Sequence, residues 1–492
     1  MPDWHEELKA LFKNRIGKGE IAGAAYDTAW VASIPDPEHP DRPAFPQAME
    51  WLRLHQNSDG SWGAGVEYYH DRILSTLAAT LVIAQWNKGE WADFQVSAGI
   101  RAIWRQMACL SRDASETVGF ELILPTLLKQ AERLGFNLPY FSFSAYDDQR
   151  REKLALIPQK VLYSRHSTST FSLEFLGDSV DLARLNGDLQ EQNGSIASSP
   201  AATSYFFRHT GDPGAKKYLE TVVAQNKGSV PTLVPADILE MAWCLYNLYL
   251  VEETLPEEAA GSINTLSSLW TNHGVSLGRY FTPLDLDDTA LTFFVLVKAG
   301  KNLSPDVFLE YELEDHFRCL PYERDASPSV HIHLLEALKT CPSYEHFQRM
   351  SDKALQFLGK TLHSGIFWFD KWQSSPYYTT AHGILALLAL DSELVESAIM
   401  WFIQTQRPDG SWGYLTGTTE ETAYGLQALT YCARCGLSIP REAMKKAAQY
   451  LIHSAERENV HYLPLWIGKT LYSPTWIVHS AVLSALAMYE RL

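Results

Sequence analysis

One eight-residue phrase occurs twice in this chain. Gln56-Asn57-Ser58-Asp59-Gly60-Ser61-Trp62-Gly63 returns as Gln406-Arg407-Pro408-Asp409-Gly410-Ser411-Trp412-Gly413, so both read Q-x-x-D-G-S-W-G. A repeat constrains a fold more than any single helix does, because each copy marks a supersecondary unit that packs on its neighbours. Each copy follows an amphipathic helical segment and precedes another apolar one. Asp-Gly supplies the turn, Gln bonds backbone at a helix end, and Trp covers the joint. Two copies so far apart imply two helical barrels.

The surrounding sequence agrees. Segments such as ILSTLAATLVIAQW, DILEMAWCLYNLYLV and TALTFFVLVKAG carry apolar residues at helical spacing or in long runs, and strand-like alternation is scarce. The chain reads as all-α. A second echo runs through Asp27-Thr28-Ala29-Trp30, Asp288-Thr289-Ala290-Leu291, Thr379-Thr380-Ala381-His382 and Glu421-Thr422-Ala423-Tyr424. Each places a polar cap before small residues and an apolar run. Such helices suit the inner ring of a barrel, with their N-termini at one mouth. A helical-repeat binding scaffold without catalysis has the same signature.

A net charge of −17 argues against nucleic acid as a partner, since phosphate binding needs a basic face. An anionic substrate would need local Lys or Arg, or a metal ion. Fifteen Trp and 23 Tyr exceed what a simple core accommodates, so some should line a cavity. The six Cys lack framework spacing, which predicts a reduced cytoplasmic chain. Cys432 and Cys435 form a lone C-x-x-C without the further ligands zinc needs. No apolar stretch long enough to span a membrane and no apolar signal core is expected.

The chemistry concentrates in Pro283-Leu284-Asp285-Leu286-Asp287-Asp288-Thr289, with three carboxylates in four positions at the start of an apolar helix. N-capping is one reading. Binding of a hard cation is a second. Acid catalysis is a third: clustered carboxylates cannot all ionise cheaply, and a buried one keeps its proton. A neutral carboxylic acid facing an apolar cavity can protonate an alkene.

D-x-D-D resembles the proton-donor motif of the class II terpene cyclases, and the resemblance spans nearly the whole chain. It includes Ala25-Tyr26-Asp27-Thr28-Ala29-Trp30, Asp71-Arg72-Ile73-Leu74-Ser75-Thr76, Val118-Gly119-Phe120-Glu121, Gln192-Asn193-Gly194-Ser195, Asp370-Lys371-Trp372 and Trp466-Ile467-Gly468-Lys469-Thr470-Leu471-Tyr472. Tyr377-Tyr378-Thr379-Thr380-Ala381-His382 is shared with the bacterial diterpene group that includes halimadienyl diphosphate synthase.

The resemblance implies roles. Asp287 is the general acid, Asp285 and Asp288 tune and hold it, and His333 hydrogen-bonds it. His331, two residues away, cannot share its helix face. Lys153 and Lys371 fall where relatives hold the diphosphate, and Glu121 where a carboxylate helps hold Mg²⁺. Trp368, Trp372, Tyr377 and Tyr472 are aromatic candidates for shielding a carbocation. Phe171, in Thr168-Ser169-Thr170-Phe171-Ser172-Leu173-Glu174, stands where plant copalyl synthases carry a His that helps remove the last proton. A benzene ring cannot act as that base.

The implied architecture is two α/α barrels. One takes residues 1–19 and 240–492, and the other, residues 20–239, is inserted. The active site lies between them, with Glu121 across from Asp287. The implied substrate is geranylgeranyl diphosphate, folded into a rearranged halimadienyl or kolavenyl bicycle. Copalyl diphosphate, drimenyl diphosphate from the C15 substrate, and squalene–hopene-type cyclisation are the alternatives. The near match to the class I aspartate motif, Asp147-Asp148-Gln149-Arg150-Arg151, lacks its last acid. The diphosphate is therefore expected to survive, for a class I synthase or a phosphatase to consume. Neither stable membrane insertion nor a nucleic-acid partner is expected, and a homodimer is left open.

Overall fold

The computed structural model describes residues 2–86, 89–455 and 461–492. It is built of helices with one short hairpin, Trp466–Ile467 paired antiparallel with Leu471–Tyr472. The helices close into two rings. In the larger, Asp237–Val251, Leu286–Lys298, Pro328–Leu338, Pro376–Leu387, Thr419–Arg434 and Thr475–Glu490 each pack against the next, and the last returns to the first. Helices on the outside back this ring, and the N-terminal helix Trp4–Asn14 packs against Thr475–Glu490. In the smaller ring, Ala25–Ala32, Tyr69–Trp86, Phe120–Arg133, the 3-10 segment Thr168–Ser179 and Pro200–Thr210 close in the same way. Each ring has its own hydrophobic core.

Sequence decides which helices go inside. Every residue of Pro376–Leu387 is buried, and apart from His382 its sequence is apolar, aromatic or small on all faces. The outer helix Phe347–Thr361 buries only Met350, Ser351, Ala354 and Leu358, a single stripe, and shows its charges to solvent.

The repeat has the geometry its residues imply. Gln56 and Gln406 donate from Nε2 to the carbonyls of Gly60 and Gly410, at 2.9 and 3.0 Å. Trp62 and Trp412 donate from Nε1 to Leu52 and Phe402, at 2.9 and 2.7 Å. Gly60 and Gly410 sit at φ +87° and +90°, which a side chain would resist.

The second echo, however, is not capping. Asp27 and Glu421 lie inside their helices, and the caps where present are other residues: Ser375 and Thr418 for the helices that contain Thr380 and Thr422. The echo is carried by threonine. Thr28, Thr76, Thr203, Thr289, Thr380 and Thr422 each accept, on Oγ1, a backbone N–H from a connecting segment at 2.9–3.1 Å. Those donors are buried, and one left unpaired would cost about 1–3 kcal/mol. Trp368 belongs to this set. Its N–H bonds Thr380, and its Nε1 donates to Leu358 at 2.9 Å, as Trp62 and Trp412 do at their own joints. It is a third joint tryptophan, without the D-G-S-W spelling.

Candidate active site

Helix Leu286–Lys298 starts at the seam between the rings, and its first turn divides the acidic cluster. Asp285 is the N-cap: its backbone is extended, and Oδ1 accepts the Asp288 N–H at 2.8 Å. Asp285 and Asp288 are buried, and burial pushes both carboxyls toward the protonated state. The charge of Asp287 adds to the push on Asp285, and the charges of Asp285 and Asp287 add to that on Asp288. Asp287 neither caps the helix nor lies fully buried. Its side chain, 15% exposed, lines a cavity, and its Oδ1 is 2.6 Å from Nδ1 of His333.

His333 projects inward from helix Pro328–Leu338 and is itself buried. The helix start is tied down by Asp370. Its Oδ2 accepts from Ser327 Oγ at 2.6 Å and Ser329 N at 2.9 Å, and its Oδ1 accepts from Trp372 N at 2.8 Å. One carboxylate thus sets the position of the His333 helix relative to Lys371 and Trp372. His331 faces away. Its Nε2 accepts the Phe317 N–H at 3.0 Å, Nδ1 bonds the Ser327 carbonyl at 2.7 Å, and the ring stacks on Phe357.

The cavity lies between the two cores and is narrow, with a free volume of about 140 Å³. Phe171, Phe281, Trp372, Trp466 and Tyr472 form its aromatic wall. Leu233, Leu239, Leu277, Leu320 and Ile467 form the aliphatic part. Apart from the three Asp, Thr168 and Cys319, the lining is apolar. Two expected wall residues are elsewhere. Trp368 is a joint, as above. Tyr377 stacks on Trp401 at 4.4 Å and bonds Thr405 Oγ1 at 2.9 Å, because a helix buried all round sends half its rings outward to the next layer. Trp466, Phe281 and Cys319 had no spacing signal that would have marked them as wall.

The hairpin is wedged between the cores by Lys469. This wholly buried ammonium donates to Ser199 Oγ at 2.6 Å, Glu174 Oε1 at 2.9 Å and the Phe171 carbonyl at 3.1 Å, with Asp27 at 3.4 Å. It also stands 4.8 Å from the centre of the Phe171 ring. Val118 N–H bonds the Gly468 carbonyl at 2.8 Å, and Asp71 accepts the Leu471 N–H at 3.1 Å.

Behind the wall, Glu420 accepts from Trp466 Nε1 at 2.8 Å and Tyr424 OH at 3.2 Å, while its Oε2 is buried without a partner. Burial pushes this carboxyl up to about 8. A folded-state acid with a raised pKa stabilises fully below its unfolded pKa, and that stability is lost as pH rises through the folded value. Urea unfolding of Glu420→Gln should therefore lack the wild-type loss of stability between about pH 4.5 and pH 8 that Glu420 causes. Parallel pH profiles for the two proteins would contradict this.

A separate polar cleft, lined among others by Glu116, Arg324 and Lys371, shares no lining residue with the cavity, but its Lys371 is next in sequence to the cavity's Trp372. Lys371 pairs with Glu323 at 2.6 Å and stands 4.9 Å from the Trp372 ring. Lys153 is outside the lining and donates to the Tyr322 carbonyl at 3.0 Å, across from one ring to the other. Glu121 is buried. Burial raises its carboxyl, against the charges of Arg324 and Lys153, which lower it. Arg324 pairs with Glu116 at 3.1 Å across the same seam. It lies in a loop, where no periodicity could have singled it out.

The chain is similar to several known proteins. The family model for the squalene-hopene cyclase C-terminal domain matches residues 324–436. The type B diterpene cyclase of Mycobacterium tuberculosis is 37% identical over 98% of this chain and 98% of its own length. The bifunctional levopimaradiene synthase of Picea abies is 32% identical over 74% of this chain, which spans only 43% of that longer protein. Among solved structures, ent-copalyl diphosphate synthase from Streptomyces platensis superposes with a TM-score of 0.81 at 26% identity, covering 99% of this chain and 100% of that one. The Arabidopsis thaliana ent-copalyl diphosphate synthase, solved with an aza-geranylgeranyl thiolodiphosphate, superposes with a TM-score of 0.72 at 26% identity, covering 98% and 62%.

Proposed function

This chain belongs to the class II diterpene cyclases, and from that premise we propose that it protonates geranylgeranyl diphosphate on Asp287 and folds it into a bicyclic diphosphate. The observation that carries the reading is a carboxyl in the wall of an apolar, ring-lined cavity, with one oxygen held by His333 at 2.6 Å. The proton goes to the terminal alkene carbon, two alkene π pairs become ring bonds, and a proton is lost at the end. The reaction is an isomerisation, and no step breaks the bond to the diphosphate. The relative's designation as a diterpene cyclase and the geranylgeranyl analogue bound by the Arabidopsis enzyme support a C20 substrate.

In this reading Asp285 and Asp288 keep their protons or share them, so that Asp287 is not repelled by two anions. Trp372, Trp466, Tyr472 and Phe171 shield the carbocation from water and present ring faces to it, each worth about 0.5–2 kcal/mol. The polar cleft takes the diphosphate, with Lys371 and Arg324 as its cations, and Lys153, outside the lining, bridges the two rings at Tyr322. A Mg²⁺ ion fits Glu121, a buried hard-oxygen ligand at the seam, with Glu116 beside it. Glu121 would hold the ion, with Glu116 and Arg324 acting on it electrostatically. The ion would offset diphosphate charge.

Phe171 favours a rearranged product. It lines the cavity and cannot take a proton, so the bicyclic cation has time for hydride and methyl shifts toward a halimadienyl or kolavenyl skeleton. Phe171→His should restore a base. We expect the variant to shift product toward copalyl diphosphate, read by mass spectrometry after phosphatase treatment. An unchanged product profile would count against Phe171 as the determinant. The parent experiment is incubation with geranylgeranyl diphosphate and Mg²⁺, alongside farnesyl diphosphate and squalene. Faster turnover of either alternative would displace the C20 reading. A retained diphosphate implies consumption by a class I synthase or a phosphatase.

A further inference from the structure

The Asp287–His333 pair does not end at His333. Nε2 of His333 lies 3.1 Å from Nδ1 of His382 on the neighbouring inner helix Pro376–Leu387. His382 is buried, and its ring stacks on Tyr378 at 4.3 Å and on Tyr246 at 5.4 Å, with Tyr424 edge-on at 5.8 Å. Tyr378 is itself fixed by Trp243, whose Nε1 donates to its hydroxyl at 2.7 Å. The ring of His382 is therefore held against rotation by packing. Burial drives its protonation down, which keeps it a neutral imidazole.

Two imidazole nitrogens at hydrogen-bond distance need one proton between them, and its location fixes what His333 offers Asp287. If His382 Nδ1–H donates, His333 Nε2 is the acceptor and Nδ1 carries the hydrogen. His333 then donates to Asp287 Oδ1, which leaves the acid proton on Oδ2, free for the substrate. It also stabilises the carboxylate that remains after transfer. If the proton sits on His333 Nε2 in a neutral ring, Nδ1 is a bare lone pair. It must then accept the acid's own proton, holding it away from the alkene.

We propose that His382 is a positioning residue that locks His333 in its Nδ1–H tautomer, so that Asp287 presents its proton to the cavity. This deepens the reading of Asp287 as the acid and rests on it.

The test uses histidine-selective ¹⁵N labelling of the full chain, with His333 assigned through His333→Asn. The expected result is a protonated Nδ1 and an unprotonated Nε2 on His333. A proton on Nε2, in either a neutral or a cationic ring, overturns the proposal. His382→Leu removes the donor and should lower kcat about 10- to 100-fold, the usual effect of losing a partner that orients a catalytic group, with KM within about twofold. It should also lose the single tautomer. His382→Asn, which keeps an N–H near the old Nδ1, should recover most of the rate. Parent-like kcat and tautomer in a folded His382→Leu protein would also overturn the assignment. If that variant does not fold, the tautomer of the parent and the rate of His382→Asn still decide. Full activity of Asp287→Asn would instead remove the acid reading, independently of the tautomer result.

Discussion

Asp287→Asn should abolish cyclisation while leaving the fold intact. The amide has nearly the carboxyl's shape but no acidic proton, and positioned general acids contribute about 10²–10⁴-fold. We expect product formation from geranylgeranyl diphosphate to fall at least about a thousandfold, because the remaining lining offers no other exposed acid: Asp285 and Asp288 are buried and engaged at the helix start. The thermal midpoint should hold, since Asp287 makes no capping bond. Asp285→Ala is the contrasting control. It removes the N-cap and should cost about 0.5–2 kcal/mol of stability as well as activity. A Asp287→Asn enzyme that still cyclises its substrate at the parent rate would end the assignment of the acid, and a scaffold reading would return.

The largest stability effect should come from Lys469→Met. The ammonium is wholly buried and is the shared partner of Glu174 and Asp27, one from each side of the smaller ring's inner wall. Both carboxylates also carry buried oxygens with no hydrogen bond. Removing the cation leaves uncompensated charge in the interior, which costs about 3–5 kcal/mol. Burial already holds the Asp27 carboxyl up at about 6, with Lys469 as the first opposing influence. Without Lys469 that carboxyl should take a proton more readily, so the loss should shrink at acid pH. Urea unfolding at pH 5 and pH 8 measures both. The triple variant Lys469→Met, Asp27→Asn, Glu174→Gln should regain much of the loss, because an interior without charges needs no counter-charge. If the single variant unfolds at the parent midpoint, Lys469 is not the wedge between the cores.

The acidic cluster was visible in the sequence because capping chemistry is local, whereas His333 was marked by the family resemblance and not by any local signal of its own. What was not local is how the cluster splits. All three carboxylates suit a helix start, and only the folded first turn shows that Asp285 caps, Asp288 is sealed in, and Asp287 meets His333, 46 positions away. The aromatic wall was half legible. Trp372, Tyr472 and Phe171 line the cavity, but Trp368 and Tyr377 do not. Tyr377 sits on a helix buried on every side, which gives no periodicity to say which ring faces the hollow, and Trp368 sits in a connecting segment where no period applies. Arg324 was invisible for a different reason. It stands on a loop, and its partner Glu116 comes from the other ring.

Taken alone, the chain's order of residues determined that it is helical, that its units repeat, that two rings exist, and that three acids open one inner helix. Those properties follow from turn chemistry, helical period and apolar runs, each of which acts over a few residues. Tertiary structure alone decided that Lys469 threads between the cores, that His382 reaches His333, and which rings enclose the cavity. Such contacts join residues tens to hundreds of positions apart, and their direction is set by how whole helices pack.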